Sequence, residues 1–304
     1  MKHQIAGVLP ALLVPVTAEG RTDRELLSRQ AEYLVTAGAH GIFVNGSTSE
    51  SPYMDVEEKL EVIRVVKETV RARIPLYIAC IQPSTRQVLR EIEVVAPLDP
   101  DFLVATTPFY FGVGQQVILE HYRMIAAESP VPLLAYDIPS CTHNRIEFET
   151  MLELSGIDGL VGIKDSSGDF KKFSRAVRAA GAAGSDSPGA GFAWIQGDDY
   201  LDAPSLIAGA RAIVTGTGNI DLSPYVALYE AVRRGDLAAA EAEQVRIDHL
   251  CQVFERAEKN VIPGIKSATA FLGRSTHGAR LTPMTVPERY HGAIRSVLQE
   301  AGLL

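Results

Sequence analysis

The sequence predicts a (β/α)8 barrel with a C-terminal helical extension. Two observations support this prediction: eight short apolar, β-rich runs recur along the chain, and segments with helical spacing lie between them. Several runs are almost continuously apolar, as are parallel strands that helices cover on both faces. No GxGxxG segment follows the first run. The closed barrel is therefore favoured over an open, doubly wound sheet.

The predicted strands come in a regular order along the chain. They are Val8–Val14, Gly41–Val44, Pro75–Cys80, Phe102–Thr106, Pro132–Tyr136, Leu160–Ile163, Phe192–Gln196 and Ala212–Val214. Two helix starts are marked by Thr22-Asp23 and by Asp55-x-x-Glu58, which has the spacing of a capping box. The segment Gly181–Gly191 is rich in small and polar residues and predicts a flexible loop before the seventh strand.

Strand signals stop after about residue 224. The segments that follow are predicted to be helical, namely Tyr225–Arg233, Leu237–Arg256, Ile262–Leu272 and Pro287–Ala301. We therefore predict a catalytic barrel over residues 1–223 and a helical extension over residues 224–304.

The composition and charge of the chain indicate which kinds of binding partner to expect. The 304-residue chain has a formal net charge of −8, and no basic run is longer than Lys171-Lys172, so nucleic acid and anionic membranes are not expected partners. The three cysteines, Cys80, Cys141 and Cys251, fit neither a disulfide framework nor a zinc site. The expected compartment is the cytoplasm.

The apolar run Ile5–Val16 loosely imitates a secretory signal. It is interrupted by Pro10 and Pro15 and carries a single leading lysine, so it is better interpreted as the first strand. No stretch approaches the roughly 20 apolar residues that a membrane-spanning helix needs.

Reactive groups of a barrel lie at the carboxyl ends of its strands. The sixth run leads directly into Lys164, which predicts a lysine at the barrel mouth. Burial favours the neutral amine, the form that attacks a carbonyl to make an imine. From the residues alone, a catalytic role for Lys164 and a structural ion pair with a strand-end carboxylate are equally open. By contrast, the spacing of four other lysines indicates solvated helix faces: Lys59, Lys67, Lys171 and Lys172.

Three neighbouring strand ends add polar groups. The loop Asn45–Ser51 contains Gly46 and several hydroxyls and suits a carboxylate ligand, although a plain polar turn has the same composition. Tyr136 ends the fifth run, where it would transfer protons or serve as a core tyrosine. The aromatic loop Thr106–Phe111 fits a lid, a core element or a subunit contact.

Two further strand-end segments were considered. Gly197-Asp198-Asp199 is not expected to bind a metal, because adjacent strand residues point in opposite directions and no third ligand stands at suitable spacing. Thr215–Asn219 either binds a phosphate or leaves room for a substrate chain. His143 follows the fifth strand and is interpreted as a surface residue or a substrate contact.

Taken together, five motifs resemble the dihydrodipicolinate synthase/N-acetylneuraminate lyase family, and the resemblance covers nearly the whole chain. They are Gly46-Ser47-Thr48-x-Glu50, Thr107-Pro-x-Tyr110, Tyr136-x-x-Pro139, Gly162-x-Lys164-Asp165-Ser-Ser-Gly168 and Gly197-Asp198-Asp199. The resemblance extends to Pro263-Gly264-Ile265-Lys266 in the helical extension.

The resemblance implies a class I aldolase that forms a Schiff base between Lys164 and a 2-keto acid, without any cofactor. It assigns proton relay to Tyr136, Thr48 and Tyr110. The backbone of Ser47 and Thr48 is assigned to the substrate carboxylate, and Gly197, Ile213 and Cys141 to the substrate pocket. It also implies a homodimer or homotetramer, because the tyrosine matching Tyr110 is often delivered by a neighbouring subunit.

Several positions depart from the family pattern. Cys141 stands where the synthases usually carry an arginine for the second substrate's carboxylate, and a thiol cannot replace a bidentate guanidinium. Tyr200 replaces the glutamate with which sialic acid lyases hold substrate hydroxyls. Ser49 replaces a glycine, and Asp137 stands where asparagine is common.

These departures favour a lyase acting on pyruvate or on a 2-keto-3-deoxy or 4-hydroxy-2-keto acid, with aldol cleavage slightly preferred over dehydration. An authentic 4-hydroxy-tetrahydrodipicolinate synthase and a non-catalytic keto-acid-binding barrel remain the alternatives. A phosphate-binding barrel isomerase that uses Thr215–Asn219 is a third interpretation.

Overall fold

The protein is described here by a computed structural model that covers residues 4–182, 191–280 and 285–304. The strands are β1 Gly7–Pro10, β2 Ile42–Val44, β3 Leu76–Cys80, β4 Phe102–Thr106, β5 Leu133–Asp137, β6 Leu160–Asp165, β7 Ala193–Gln196 and β8 Ala212–Thr215. They belong to one sheet whose strand order is that of a (β/α)8 barrel. The predicted fold class is confirmed.

Helices follow the strands throughout the chain. They are α1 Arg24–Thr36, α2 Val56–Val70, α3 Thr85–Val95, α4 Gln115–Glu128, α5 Pro139–Thr142, α6 Phe148–Leu154, α7 Phe170–Ala182, α8 Asp202–Ala208, α9 Ser223–Arg233, α10 Leu237–Glu255, α11 Val261–Phe271 and α12 His291–Glu300. Short 3-10 helices occur at Ser47–Ser49, Ser51–Tyr53, Ala96–Leu98, Asp199–Leu201, Thr217–Asn219 and Glu288–Tyr290.

One compact unit comprises residues 75–214 and the short N-terminal segment up to Gly7. Its strands from β3 to β8 pair in parallel, each with the next along the chain. The strand residues are almost all buried, and Tyr77 stacks on Phe102 with ring centroids 4.6 Å apart. Parallel pairing fixes which side chains stand next to one another at the strand ends.

The second compact unit comprises residues 8–74 and 215–304. Within it, Ala11 forms a parallel bridge with Phe43, and α10 packs against α9, α11 and α12. Asp23 caps α1 by accepting a hydrogen bond from the Leu26 N–H, as the sequence predicts. The two units divide the chain differently from the predicted boundary at residues 223 and 224, which stays a prediction.

Some predicted boundaries shift. β6 continues through Lys164 and Asp165, so the lysine lies on the strand and not after it. β1 ends at Pro10, four residues before the predicted end, although the Ala11 and Leu12 N–H groups still donate to the Thr215 and Phe43 carbonyls, both at 2.8 Å. Of the predicted loop Gly181–Gly191, the stretch 183–190 lies outside the described residues.

The prediction that Lys59 and Lys172 lie on solvated helix faces is wrong. They are only 3% and 5% exposed, whereas Lys171 is exposed as expected. For Lys172 the reason is a pair of carboxylates beneath its helix, described below. Within the described ranges, no helix is both long enough and apolar enough to cross a bilayer.

Candidate active site

Lys164 and Tyr136 lie side by side on adjacent parallel strands. Tyr136 is the register partner of Lys164, and the two residues are 2% and 5% exposed, respectively. Lys164 Nζ lies 4.0 Å from the centroid of the Tyr136 ring. A phenol beside a buried amine is placed to exchange protons at a carbon–nitrogen bond forming on that amine. The structure therefore brings together two of the four residues predicted to be catalytic.

Gly197, at the end of β7, makes room for the lysine side chain. A Cβ atom at this position would lie 2.6 Å from Lys164 Cε and would also collide with Ser166 Oγ. The Gly197 N–H donates to the Asp165 carbonyl at 2.9 Å, and Ser166 Oγ donates to the Gly197 carbonyl at 3.0 Å. Gly197 thus leaves space beside Lys164, in addition to its predicted place in the substrate pocket.

Behind this pair lies a buried cluster of three charged side chains. Lys172 Nζ, on α7, lies 2.5 Å from Asp137 Oδ2 and 3.2 Å from Asp165 Oδ2. It also donates to the Ile146 carbonyl at 3.1 Å. Asp137 and Asp165 immediately follow Tyr136 and Lys164 on their strands and are register partners themselves. The charged cluster therefore shares its backbone with the candidate reactive pair.

The Asp137 carboxyl is difficult to ionise in this environment. Burial, with a smaller contribution from the neighbouring Asp165, raises its pKa to about 6 against the opposing effect of Lys172. Asp137 Oδ1 accepts a hydrogen bond from the Ile146 N–H at 3.1 Å. The charge of this cluster consequently changes close to neutral pH.

Tyr110 lies on an exposed aromatic loop. Its side chain is 81% exposed, its φ is 82°, and its ring meets Phe111 edge-on with centroids 4.9 Å apart. Asn144 holds the loop: its Nδ2 donates to the Pro108 and Phe111 carbonyls, both at 2.8 Å, and its Oδ1 accepts from the Val113 N–H at 2.9 Å. The loop is thus firmly anchored while its two aromatic rings face outward.

The remaining predicted residues of this unit differ in exposure. Cys141 lies on the short helix α5 with its thiol exposed, and His143 follows in a left-handed conformation with φ of 58°. Ile213 is fully buried on β8, where it is the register partner of Gln196. Only Cys141 and His143 are exposed enough to meet an incoming molecule directly.

Ser47 and Thr48 lie in the second unit, on the 3-10 helix that follows β2. Ser49 Oγ anchors this turn by donating to the Leu12 carbonyl at 2.7 Å. Gly216 lies close by, since a Cβ atom there would stand 3.8 Å from Thr48 Oγ1. The structure therefore brings Thr48 next to the small-residue segment Thr215–Asn219.

Glu50, which ends this turn, is held by two buried cations. It adopts a left-handed conformation with φ of 58° and is 1% exposed. Lys266, on α11, forms a close ion pair with it, and Arg280 Nη1 lies 3.4 Å from the same carboxylate oxygen. Burial lowers the pKa of Lys266 from its ordinary value, against the opposing effect of Glu50. This cluster fixes the end of the turn that carries Ser47 and Thr48.

Sequence reasoning missed the roles of Lys172, Asn144 and Arg280. For Lys172 the sequence offers one indication of burial, its position beside Phe173 on an amphipathic helix. A lysine on the buried face of such a helix needs a carboxylate partner. Lys266 was noted only as part of the motif Pro263-Gly264-Ile265-Lys266. Among the residues that the structure describes, no three His, Cys, Asp or Glu side chains gather as a metal site requires.

The chain matches the sequence model of the Dihydrodipicolinate synthetase family over residues 4–301. An uncharacterized DapA-like lyase of Halobacterium salinarum is 31% identical over 298 residues, which cover 98% of this chain and 94% of that protein. The 4-hydroxy-tetrahydrodipicolinate synthase of Pseudomonas aeruginosa is 30% identical over 300 residues, 99% of each chain.

A solved structure agrees with these sequence matches. The chloride-inhibited dihydrodipicolinate synthase of Acinetobacter baumannii, complexed with pyruvate, superposes with a TM-score of 0.92 at 25% identity. The superposition covers 99% of this chain and 100% of the synthase chain. The predicted family resemblance is confirmed.

Proposed function

Since the chain belongs to the dihydrodipicolinate synthetase family, whose members are lyases and synthases, we propose that it acts as a Schiff-base-forming lyase on a 2-keto acid. The substrate is pyruvate, or a 2-keto-3-deoxy or 4-hydroxy-2-keto acid. The observation that carries this proposal is the buried Lys164 with its Nζ 4.0 Å from the ring centroid of Tyr136. No cofactor is needed, because the imine itself is the electron sink.

The proposed reaction begins when the neutral Lys164 amine adds to the keto carbon. Water leaves the carbinolamine, and the resulting iminium withdraws electrons from the adjacent carbon. In aldol cleavage the bond between C3 and C4 breaks, its electrons form an enamine, and C4 leaves as the carbonyl carbon of an aldehyde. The C4 hydroxyl proton passes to the Tyr136 oxygen while Tyr136 gives its own phenolic proton to the proposed relay through Thr48 and Tyr110. Protonation of the enamine and hydrolysis of the imine then release pyruvate and regenerate Lys164.

The roles of Ser47, Thr48 and Tyr110 are proposed from the sequence motifs. The backbone N–H groups of Ser47 and Thr48 bind the substrate carboxylate, and Thr48 links Tyr136 to Tyr110. Anchoring of the Ser47–Ser49 turn through Glu50 supports such a role, since a preorganised turn lowers the entropic cost of binding. The exposed Tyr110 and Phe111 rings support a homodimer or homotetramer as the working assembly.

Cys141 favours aldol cleavage or dehydration over the synthase reaction. Its exposed thiol occupies the position at which the synthases usually carry an arginine, so the second carboxylate of a condensation would lack its cation. We further propose a cytoplasmic location, in line with the three free cysteines.

The test is reductive trapping. Purified protein is incubated with pyruvate and sodium borohydride, and the adduct is located by peptide mass spectrometry in wild type, Lys164→Ala and the exposed-lysine control Lys171→Ala. We expect an adduct on Lys164 in wild type and in Lys171→Ala, and none in Lys164→Ala. Trapping retained in Lys164→Ala would refute the mechanism. If no keto acid is trapped on the folded wild type, the non-catalytic and isomerase alternatives stand, and thermal stabilisation by inorganic phosphate identifies the second.

A further inference from the structure

The cluster of Asp137, Asp165 and Lys172 lies immediately behind the two proposed reactive residues. Successive strand residues point to opposite faces, so Asp137 and Asp165 project away from Tyr136 and Lys164. Lys172 bridges the two carboxylates from α7, at 2.5 Å and 3.2 Å. The three residues are at most 5% exposed. A single lysine thus ties together the ends of both strands.

The charges in this cluster do not cancel. Two ionised carboxylates and one ammonium leave a net charge of −1, and water is excluded from all three groups. Buried charges that are left uncompensated cost stability, so a purely structural role would favour a matched pair. An asparagine at position 137 would supply such a match, because its side chain is neutral. The extra carboxylate of this chain therefore needs an explanation.

We propose that Lys172 is a positioning residue and that the net charge of its cluster with Asp137 and Asp165 sets the pH at which Lys164 forms an imine. This inference rests on the proposed function of Lys164. The Tyr136–Lys164 and Asp137–Asp165 register pairs carry it, because they place a carboxyl group of the cluster one residue away from each of the two proposed reactive residues. A charge at this separation inside the protein acts across a medium that screens poorly.

Three other titratable side chains that the structure describes near the cluster are Tyr122, Asp198 and Asp169. Tyr122, on α4, donates to the Ala105 carbonyl and accepts from the Tyr136 N–H, and burial raises its pKa beyond the range in which it ionises. Burial also raises the pKa of Asp198, with a smaller contribution from Asp165. At the edge of the cluster, Asp169 is offset by Arg145 at 3.6 Å. The charge of Asp137 is therefore the main variable near neutral pH.

The signs follow from the charge counts. In Asp137→Asn the cluster becomes neutral, so the ammonium form of Lys164 loses stabilisation and imine formation extends to lower pH. Loss of Lys172 also removes the group that holds the pKa of Asp137 down. In Lys172→Met the cluster is therefore more negative only where the pH is high enough to ionise Asp137, and there the ammonium form of Lys164 gains stabilisation and imine formation requires higher pH. The double variant retains only Asp165 and returns to the wild-type charge. We expect single-variant shifts of about half a pH unit to one unit, in opposite directions.

The experiment measures the initial rate of pyruvate trapping by sodium cyanoborohydride across a pH series. Wild type, Asp137→Asn, Lys172→Met, the double variant and Lys171→Met are compared, with circular dichroism to verify folding. Lys171→Met removes the same charge from the exposed face of the same helix and should follow the wild-type profile. If Lys172→Met does not fold, Asp137→Asn still tests the inference, because asparagine has nearly the same shape as aspartate and changes only the charge.

Opposite shifts of the midpoint in the two single variants, cancelling in the double variant, would support the inference. An Asp137→Asn profile identical to wild type would overturn it and leave the cluster a structural feature only. Failure of wild type to trap pyruvate at any pH would instead refute the proposed function, so the two failures are distinguishable.

Discussion

Gly197 leaves the space that the Lys164 side chain occupies, since a methyl group at this glycine would lie 2.6 Å from Lys164 Cε. That distance is far below van der Waals contact, and the added carbon would also collide with Ser166 Oγ. The lysine must therefore move if the glycine is replaced. This relationship gives a way to displace the amine without changing it chemically.

We predict that Gly197→Ala slows the trapping of pyruvate by roughly 10- to 100-fold, because a displacement of about 1 Å is enough to disrupt attack geometry. Overpacking should also lower the free energy of unfolding by about 1–3 kcal/mol. Gly292→Ala, where a Cβ atom meets nothing within 4 Å, is the matched control and should trap at the wild-type rate. Equal trapping rates in the two variants would show that Lys164 does not need the space.

We predict that Tyr136→Phe lowers turnover by about 10²-fold or more, the usual contribution of a proton-transfer group. The ring and its packing over Lys164 remain, so the variant should still be trapped by borohydride. Turnover is measured with the keto acid that wild type cleaves. Turnover at the wild-type rate would assign proton transfer to another group.

The fold was predictable because burial on both faces of a strand is recorded directly in the sequence as an apolar run. The β6 run shows this well, and its last predicted residue precedes Lys164 by only one position. The register that sets Tyr136 opposite Lys164 depends on how β5 and β6 pair in space, which no local pattern encodes. The number and order of the strands were thus predictable, whereas the ends of β1 and β6 and the mutual alignment of the strands were not.

The sequence also does not show which lysines are buried. Lys171 and Lys172 are neighbours in sequence, yet one is exposed and the other is held by two carboxylates. Their helical positions differ by 100°, and the sequence alone does not state which face meets the strands. Asp137 was noticed as a departure from the family, but its partner lies 35 residues away.

We predict that Lys266→Met lowers the free energy of unfolding by about 3 kcal/mol, because the buried Glu50 carboxylate loses its close ion pair and keeps the more distant Arg280. Chemical denaturation followed by circular dichroism measures the loss. Glu50→Gln combined with Lys266→Met should recover part of it by removing both charges.

The exposed pair Arg29–Glu25 supplies the control for this prediction. Arg29→Met breaks an ion pair whose side chains are 60% and 76% exposed, so it should cost less than about 1 kcal/mol. Similar losses in Arg29→Met and Lys266→Met would contradict a stabilising role for the buried pair.

His121 should make stability depend on pH. Burial lowers its pKa from 6.5 to about 4, and both ring nitrogens are engaged by Thr85 Oγ1 and the Thr106 carbonyl. On acidification the unfolded chain binds the proton first. The contribution is therefore complete above pH 6.5 and is lost as pH falls towards 4.

We predict that this loss amounts to about 3 kcal/mol in wild type and is absent from His121→Gln. The comparison between the two proteins cancels other groups, including Asp137, whose raised pKa acts in the opposite direction. Denaturation at several pH values provides the measurement. Parallel pH profiles for both proteins would show that His121 has the same pKa in the folded and unfolded chains, contrary to the prediction.

Finally, we predict that Cys141→Arg increases any condensation of pyruvate with aspartate semialdehyde. The thiol is exposed on α5, so an arginine fits there without disturbing the core, and its guanidinium supplies the bidentate partner that a carboxylate prefers. Cys141→Lys is the control, because it adds a charge of the same sign without the planar fork. A gain of roughly 10-fold with arginine and less with lysine would identify this position as the specificity determinant. If neither variant gains activity while both still trap pyruvate on Lys164, other residues of the pocket decide against the second substrate.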